Sequence, residues 1–335
     1  MKCCLGKVHR TNGLFLVILS LVLSACHKTG ETDKVLRLAQ ELERQGNFEK
    51  AADLYHELAH RKPKDFHTNY QAALIYFQIN NLEEAKQHFE SAIAANPQSG
   101  VAHLNLGVVL ARTGQEQAAE RQFLEALRLD PRLTRAYYNL GLFAVDDGRL
   151  DEAERYLRQA LSLDPNHQRS HVRLGNLLVK KKKSPEALEI MDRAIKLDPT
   201  DAVAFFNVAL AYAGMEEPKN SIEAFRQATT LNPSYESAHY NLGTTLTRMG
   251  RYEEAVESLK QAVRLDPKFS DAFYNLAVAF TYLKKRSDAL ASLEAAIRVN
   301  PNLANEALQD KDFESLRSDP RFQALVTGNP SPIAK

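Results

Sequence analysis

Eight prolines fall on one register: Pro63, Pro97, Pro131, Pro165, Pro199, Pro233, Pro267 and Pro301, each 34 residues after the last. A fixed period of this length points to a helix-turn-helix unit. Such a unit cannot bury its apolar face alone and must stack on copies of itself. If each unit is counted so that its proline is residue 32, residues 32–303 divide into eight (32–65, 66–99, 100–133, 134–167, 168–201, 202–235, 236–269 and 270–303). The expected fold is all-α.

Other positions keep the same register. Position 8 holds Ala39, Ala73, Gly107, Gly141, Gly175, Ala209, Gly243 and Ala277, and position 20 holds alanine in every unit except for Ser221. Position 27 is alanine in every unit but the first, which has Leu58. Two helices of a hairpin approach closely only where side chains are short, and a larger residue must then fill the remaining gap. Position 24 supplies it: Tyr55, Phe89, Phe123, Leu157, Met191, Phe225, Leu259 and Leu293. Gly46, Gly114, Gly148 and Gly250 lie between the two helices, where a left-handed C-cap is useful. In the fifth unit Lys180 to Lys183 occupy that corner and read as a solvated turn, with Ser184 as N-cap and Pro185 at the first helical position.

This pattern resembles the tetratricopeptide repeat family over residues 32–303, about four-fifths of the chain. The departures are small: His103, His171 and His239 at position 4, which is usually aromatic, and Ser221 at position 20. The resemblance implies an α-solenoid in which eight repeats form a right-handed superhelix of about one turn. The first helix of each hairpin would line its concave face, mainly through positions 2, 5, 6, 9, 12 and 13.

Position 6 carries Asn105, Asn139, Asn207, Asn241 and Asn275, interrupted by Gln71 and Arg173. An amide offers donors and an acceptor, so such a ladder suits an extended peptide backbone. It is similar to the asparagine ladder of peptide-binding family members. The same amides can also bond within the scaffold, and both readings stand. Position 5 carries Tyr70, Tyr138, Phe206, Tyr240 and Tyr274, which serve either as anchors for a partner or as packing. Arg112, Arg135, Arg169, Arg173, Lys180 and Arg248 also fall on groove positions, opposed by Asp146 and Asp271. The expectation is a mildly positive groove that prefers acidic or C-terminal segments. Arg112 and Arg173 are the sharpest candidates.

The N-terminus has a different grammar. Lys2, Lys7 and Arg10 precede an apolar run from Leu14 to Leu23, which ends in Ser24-Ala25-Cys26. A run of ten residues spans roughly 15 Å, about half of a bilayer core, and fits a signal-peptide core rather than a membrane span. Leu23-Ser24-Ala25-Cys26 resembles the lipobox of bacterial lipoproteins. The resemblance implies a signal peptide over 1–25, diacylation of Cys26 and a lipidated tether over 26–31. By the same resemblance His27, where an inner-membrane lipoprotein has Asp, implies the periplasmic face of the outer membrane. Two or three acyl chains anchor stably, whereas one does not.

After the last repeat, residues 304–327 read as one or two short capping helices. There Phe313, Leu316, Phe322, Leu325 and Val326 cover the open end, and 328–335 read as a disordered tail.

Composition narrows the function. A formal net charge of +1 leaves no basic footprint for nucleic acid. All three cysteines lie within the first 26 residues, so the repeats contain neither a disulfide framework nor a cysteine-ligated metal site. No phosphate loop, nucleophile elbow or HExxH is present. His56 and His60 stand four apart on one helix, but two ligands make a weak site without a third. The expectation is a membrane-anchored interaction scaffold for envelope assembly, secretion or cell-wall machinery that binds a protein or peptide segment in its groove. It is not an enzyme, and it has no cofactor, metal or small-molecule substrate. A pilotin-like assembly factor is the alternative within this class.

Overall fold

The computed structural model describes residues 29–328; the expected signal peptide, Cys26 and the last seven residues lie outside this range. The described residues form eighteen α-helices and one 3-10 helix, with no strand among them. Sixteen of the helices fall in pairs into the eight repeats. These are α1 (Thr29–Arg44) with α2 (Phe48–Arg61), α3 (Phe66–Gln78) with α4 (Leu82–Ala95), α5 (Gly100–Arg112) with α6 (Glu116–Leu129), and α7 (Thr134–Asp146) with α8 (Leu150–Leu163). There follow α9 (Gln168–Lys180) with α10 (Ser184–Leu197), α11 (Ala202–Gly214) with α12 (Pro218–Leu231), α13 (Glu236–Arg248) with α14 (Tyr252–Leu265), and α15 (Ser270–Tyr282) with α16 (Arg286–Val299). The chain ends in α17 (Leu303–Gln309), a 3-10 turn (Lys311–Leu316) and α18 (Pro320–Thr327).

The chain forms two compact units, residues 1–143 and 144–335. In the first, α1 to α6 pack in sequence, each helix against its hairpin partner and then against the next hairpin. In the second, α8 to α16 repeat that arrangement, and first helices also pack on one another, as α9 does on α11 and α13 on α15.

The small positions have the role expected of them. A Cβ on Gly107 would sit 2.6 Å from the Phe123 ring, and one on Gly243 would sit 2.5 Å from Leu259. Both glycines face position 24 of their own repeat, so a helix interior accepts glycine there in exchange for close packing. Phe89, Phe123, Leu157, Met191, Phe225, Leu259 and Leu293 are all at most 1% exposed. Ser221 satisfies its hydroxyl by donating to the Ala209 carbonyl across the hairpin, 2.9 Å away, so it fits a position made for alanine.

All eight interhelical turns pass through left-handed backbone at position 15. Four use glycine (Gly46, Gly114, Gly148 and Gly250) and four use Asn80, Lys182, Glu216 and Lys284 at φ of 57° to 61°. The glycine signal therefore marked half of the turns, and in the others tertiary packing imposes the same conformation on residues that resist it.

Several local expectations shift. Ser184 is not the N-cap of α10; Lys183 takes that place, and Ser184 is buried in the first turn. Residues 29–31, read as tether, already belong to α1. The C-terminal cap begins at Leu303, one residue early, and Gly328 closes α18 in a left-handed conformation. Phe313, Leu316, Phe322 and Val326 are buried in a core shared with α15 and α16, with Leu325 partly buried against it. The hydroxyls of Tyr274 and Tyr282 donate to Asp310 and Asp312 at 2.7 and 2.6 Å, tying the cap to the last repeat. Burial and the Asp310 carboxylate push the Tyr274 phenol well above its usual range.

Candidate protein-binding face

Position 4, on the first turn of each first helix, shows why polar residues suit an ordinarily aromatic site. The ring Nε2 of His103, His171 and His239 meets the carbonyl of the proline six residues earlier, at 3.3, 2.9 and 3.1 Å. Asn69 makes the same bond to Pro63 with its amide, at 3.2 Å. Each donor stitches a first helix to the turn preceding it and satisfies a carbonyl that the helix end leaves open.

The asparagines of position 6 are not five equivalent open amides. Asn105 donates to the Tyr70 hydroxyl of the preceding repeat at 2.7 Å, and Asn275 approaches the Tyr240 hydroxyl of its own preceding repeat at 3.4 Å. Asn275 and Asn241 also donate to backbone carbonyls one turn back, those of Asp271 and Ser237. Asn207 is fully buried; it donates to the Val203 carbonyl and accepts from Asn176. Asn139 is half-buried, and its amide has no hydrogen-bond partner among the described residues. The recurrent bond is thus between a position-5 tyrosine and the position-6 amide of the next repeat, a contact that the sequence spacing does not reveal. Tyr138, Tyr240 and Tyr274 are half-buried, and Tyr274 is committed to Asp310 as described above.

The charges separate by helix. Arg112, Arg135, Arg169, Arg173, Lys180 and Arg248 are exposed on first helices, and none is ion-paired among the described residues. The Arg112 guanidinium lies 4.4 Å above the Phe77 ring of the neighbouring repeat, a contact that orients it without neutralising it. Half-buried Leu74, Phe77 and Val108 and exposed Val101 share groove positions with Arg112 in the first unit. In the second, half-buried Val179 and Leu210 share them with Arg169, Arg173 and Lys180.

Second helices and turns are different. Arg158 bridges Glu154 and Glu186 of the next repeat, while Lys181 reaches Glu154 at 2.6 Å and Asp151 at 2.5 Å. Lys183 adds a third cation to Glu154 at 3.2 Å. The lysine corner expected to be solvated is therefore a clamp between two repeats. Partial burial opposes ionisation of Glu154, but its bonds to Lys181, Arg158 and Lys183 prevail and hold its pKa at about 2.

The fold is that of a helical-repeat protein, and in each of its two units first helices carry exposed cations without an ion pair among the described residues. From residue 36 to residue 302 the sequence is matched without a break by tetratricopeptide repeat models, over 36–100, 70–134, 117–153, 144–205, 202–235, 224–257, 243–283 and 271–302. The chain belongs to the tetratricopeptide repeat family. No curated protein sequence matches it. Among solved structures, the C-terminal part of a TPR repeat-containing protein from Cytophaga hutchinsonii superposes with a TM-score of 0.57 at 18% identity, covering 72% of this chain and 99% of that one. The APC/C hetero-tetramer Cut9–Hcn1 gives 0.56 at 15% identity, covering 90% of this chain and 58% of that one. Both likenesses concern the fold. YrrB, a TPR protein with an unusual peptide-binding site, is 26% identical over 54% of this chain and 93% of its own, with a TM-score of 0.46. No described helix is long and apolar enough to cross a membrane.

Proposed function

We propose that this protein is an interaction scaffold whose first-helix faces hold an extended, acidic protein segment. One observation carries the reading: Arg112, Arg135, Arg169, Arg173, Lys180 and Arg248 on first helices have no ion pair among the described residues, while Arg128, Arg155, Arg158, Lys196 and Arg226 on second helices are paired with carboxylates. An exposed cation beside half-buried apolar side chains is a ready contact for a carboxylate-bearing segment. Arg112 in the first unit and Arg173 in the second supply the charge, and Asn139 adds an uncommitted amide. Asn105, Asn241 and Asn275 are largely engaged within the scaffold, so they shape the face more than they read a ligand.

The order of N-terminal signals supports lipid attachment at Cys26 and a place on the periplasmic face of the outer membrane, in envelope assembly, secretion or cell-wall work. Palmitate labelling that is lost in Cys26→Ala, with signal-peptide cleavage that globomycin blocks, is the expected result; a Cys26→Ala protein that still fractionates with membranes overturns the anchor. For the groove, a fluorescent acidic peptide with a free C-terminus should bind more tightly than a basic peptide of equal length. Equal binding of the two overturns the charge reading.

A further inference from the structure

The second helices of the first two repeats bring together residues that the repeat register does not single out. His56 on α2 and Glu84 and His88 on α4 place one donor atom each within 4.8 Å of one another. His56 Nδ1 lies 3.1 Å from His88 Nε2 and 3.9 Å from Glu84 Oε2. Two imidazoles on one tetrahedral Zn²⁺, with bonds of about 2.0–2.1 Å, hold their nitrogens roughly 3.3 Å apart. The two rings are therefore already near that spacing.

The surroundings set the rings for this role. Asn69 is 2% exposed and spends its amide nitrogen on the carbonyls of Pro63 and Asp65, at 3.2 and 3.0 Å. Its Oδ1 is thereby turned toward His88 Nδ1, 3.3 Å away, and must accept. His88 then carries its proton on Nδ1 and leaves Nε2 bare, facing His56. The Tyr76 ring, parallel to His88 at 5.5 Å, holds the plane. On the other side, His56 Nε2 sits 2.9 Å from His60 Nε2, so His56 has a partner for its distal nitrogen while Nδ1 faces the cluster. Metal-bound histidines characteristically have such a partner behind them. A solvent-open pocket of about 160 Å³, lined by these residues with Gln87 and Ser91, gives an ion entry and leaves room for water.

We infer that His56, His88 and Glu84 bind a divalent ion of the Zn²⁺ class, with Asn69 and His60 as positioning residues and a fourth coordination place open to solvent. Without metal, the rings form a hydrogen-bonded relay from His60 through His56 and His88 to Asn69; when the ion takes His56 Nδ1, the proton of that ring moves to Nε2 and His60 turns to its Nδ1–H tautomer and accepts from it. The ligands come from two repeats, so the ion joins the first hairpin to the second. The sequence expectation of no metal rested on His56 and His60 alone; the missing ligands come from the next hairpin, and His60 acts behind His56 rather than beside it.

The test uses the full chain carrying Cys3→Ser, Cys4→Ser and Cys26→Ser, which removes competing thiols. Titration with ZnCl₂ should give one ion per chain by calorimetry, and CoCl₂ should give the intense visible bands of a tetrahedral site. His88→Ala should weaken Zn²⁺ binding by at least about 100-fold, and His60→Ala by about 10–100-fold, as expected for a residue behind a ligand. Glu84→Gln keeps the shape of the side chain and should also weaken binding and shift the Co²⁺ spectrum. If His88→Ala loses helical circular dichroism, Glu84→Gln decides. The inference is overturned by a chain that binds no stoichiometric Zn²⁺, by Zn²⁺ binding unchanged in Glu84→Gln, or by a Co²⁺ spectrum like that of the aqueous ion.

Discussion

On the second helices, Glu154 gathers Lys181, Lys183 and Arg158, Arg226 crosses to Glu254 of the next repeat, and Arg149 lies between Asp147 and Glu152. On the first helices, Arg112, which lies over the Phe77 ring, and the exposed Arg169 and Arg173 have no ion pair among the described residues. In the third, fourth, fifth and seventh hairpins the first-helix cations are thus left open, while Arg128, Arg155, Arg158 and Lys196 on second helices are paired. Second-helix pairs across repeats lock neighbours together, and their worth depends on partial burial. Exposed first-helix cations add little to stability, so leaving them unpaired in each unit suits a partner that brings the opposite charge.

The sharpest way to break this contrast is to remove the most satisfied acid. Glu154→Ala strips three cations of their shared partner and should destabilise the chain by about 2 kcal/mol at neutral pH, measured as a lowered urea midpoint. The pH dependence has a definite sign. The folded-state pKa of Glu154 is depressed to about 2, so its contribution is present above the ordinary glutamate range and fades as pH falls from the ordinary value toward 2. The midpoints of wild type and Glu154→Gln should converge over that interval; a gap that stays constant would show that the carboxylate charge is not the cause.

The counterpart on the open face is charge reversal. Arg112→Glu and Arg173→Glu should each weaken binding of an acidic peptide by about tenfold, roughly 1.4 kcal/mol, and leave stability within about 0.5 kcal/mol. A large loss of stability would mean that these cations are structural, and the contrast would fail.

A smaller effect belongs to the tyrosine–asparagine contact. Tyr70→Phe removes the acceptor for Asn105 and should cost about 0.5–1.5 kcal/mol by chemical denaturation, with helical content unchanged. An unaltered midpoint would return Asn105 to the list of amides available for a ligand.

The smallest expected change is a gain. Glu216 and Lys284 adopt φ of 60° and 59°, where glycine is at ease. Glu216→Gly should raise stability by up to about 1 kcal/mol, less the extra chain entropy glycine loses on folding. A drop instead would mean that the side chain contributes more in the turn than its strain costs.

Much of the hairpin was legible before any coordinates. Gly107 against Phe123 and Gly243 against Leu259 follow from alternating small and large positions at constant spacing, because both partners belong to one repeat. The capping role of Phe313 and Phe322 was legible for a related reason, since a stack must cover its last apolar face. The candidate site was much less so. Asn207 looked like its neighbours in the register, yet it is buried, and the half-buried Asn139 alone among the five has an amide without a partner in the described structure. Lys181 and Lys183 looked solvated because their acids, Asp151 and Glu154, lie in the preceding repeat.

By itself the sequence determined the unit: its length, its two helices, the small residues that let them touch and the proline that ends them. These depend on local propensity and on contacts within 34 residues, which a strict period encodes. The tertiary structure decided which side chains of different repeats meet. Glu154 with the lysine corner, Tyr70 with Asn105, and His56 with Glu84 and His88 all join residues 27 to 35 positions apart on separate hairpins. Such meetings depend on the rotation and offset between stacked hairpins, which packing of whole helix faces sets and no single spacing records.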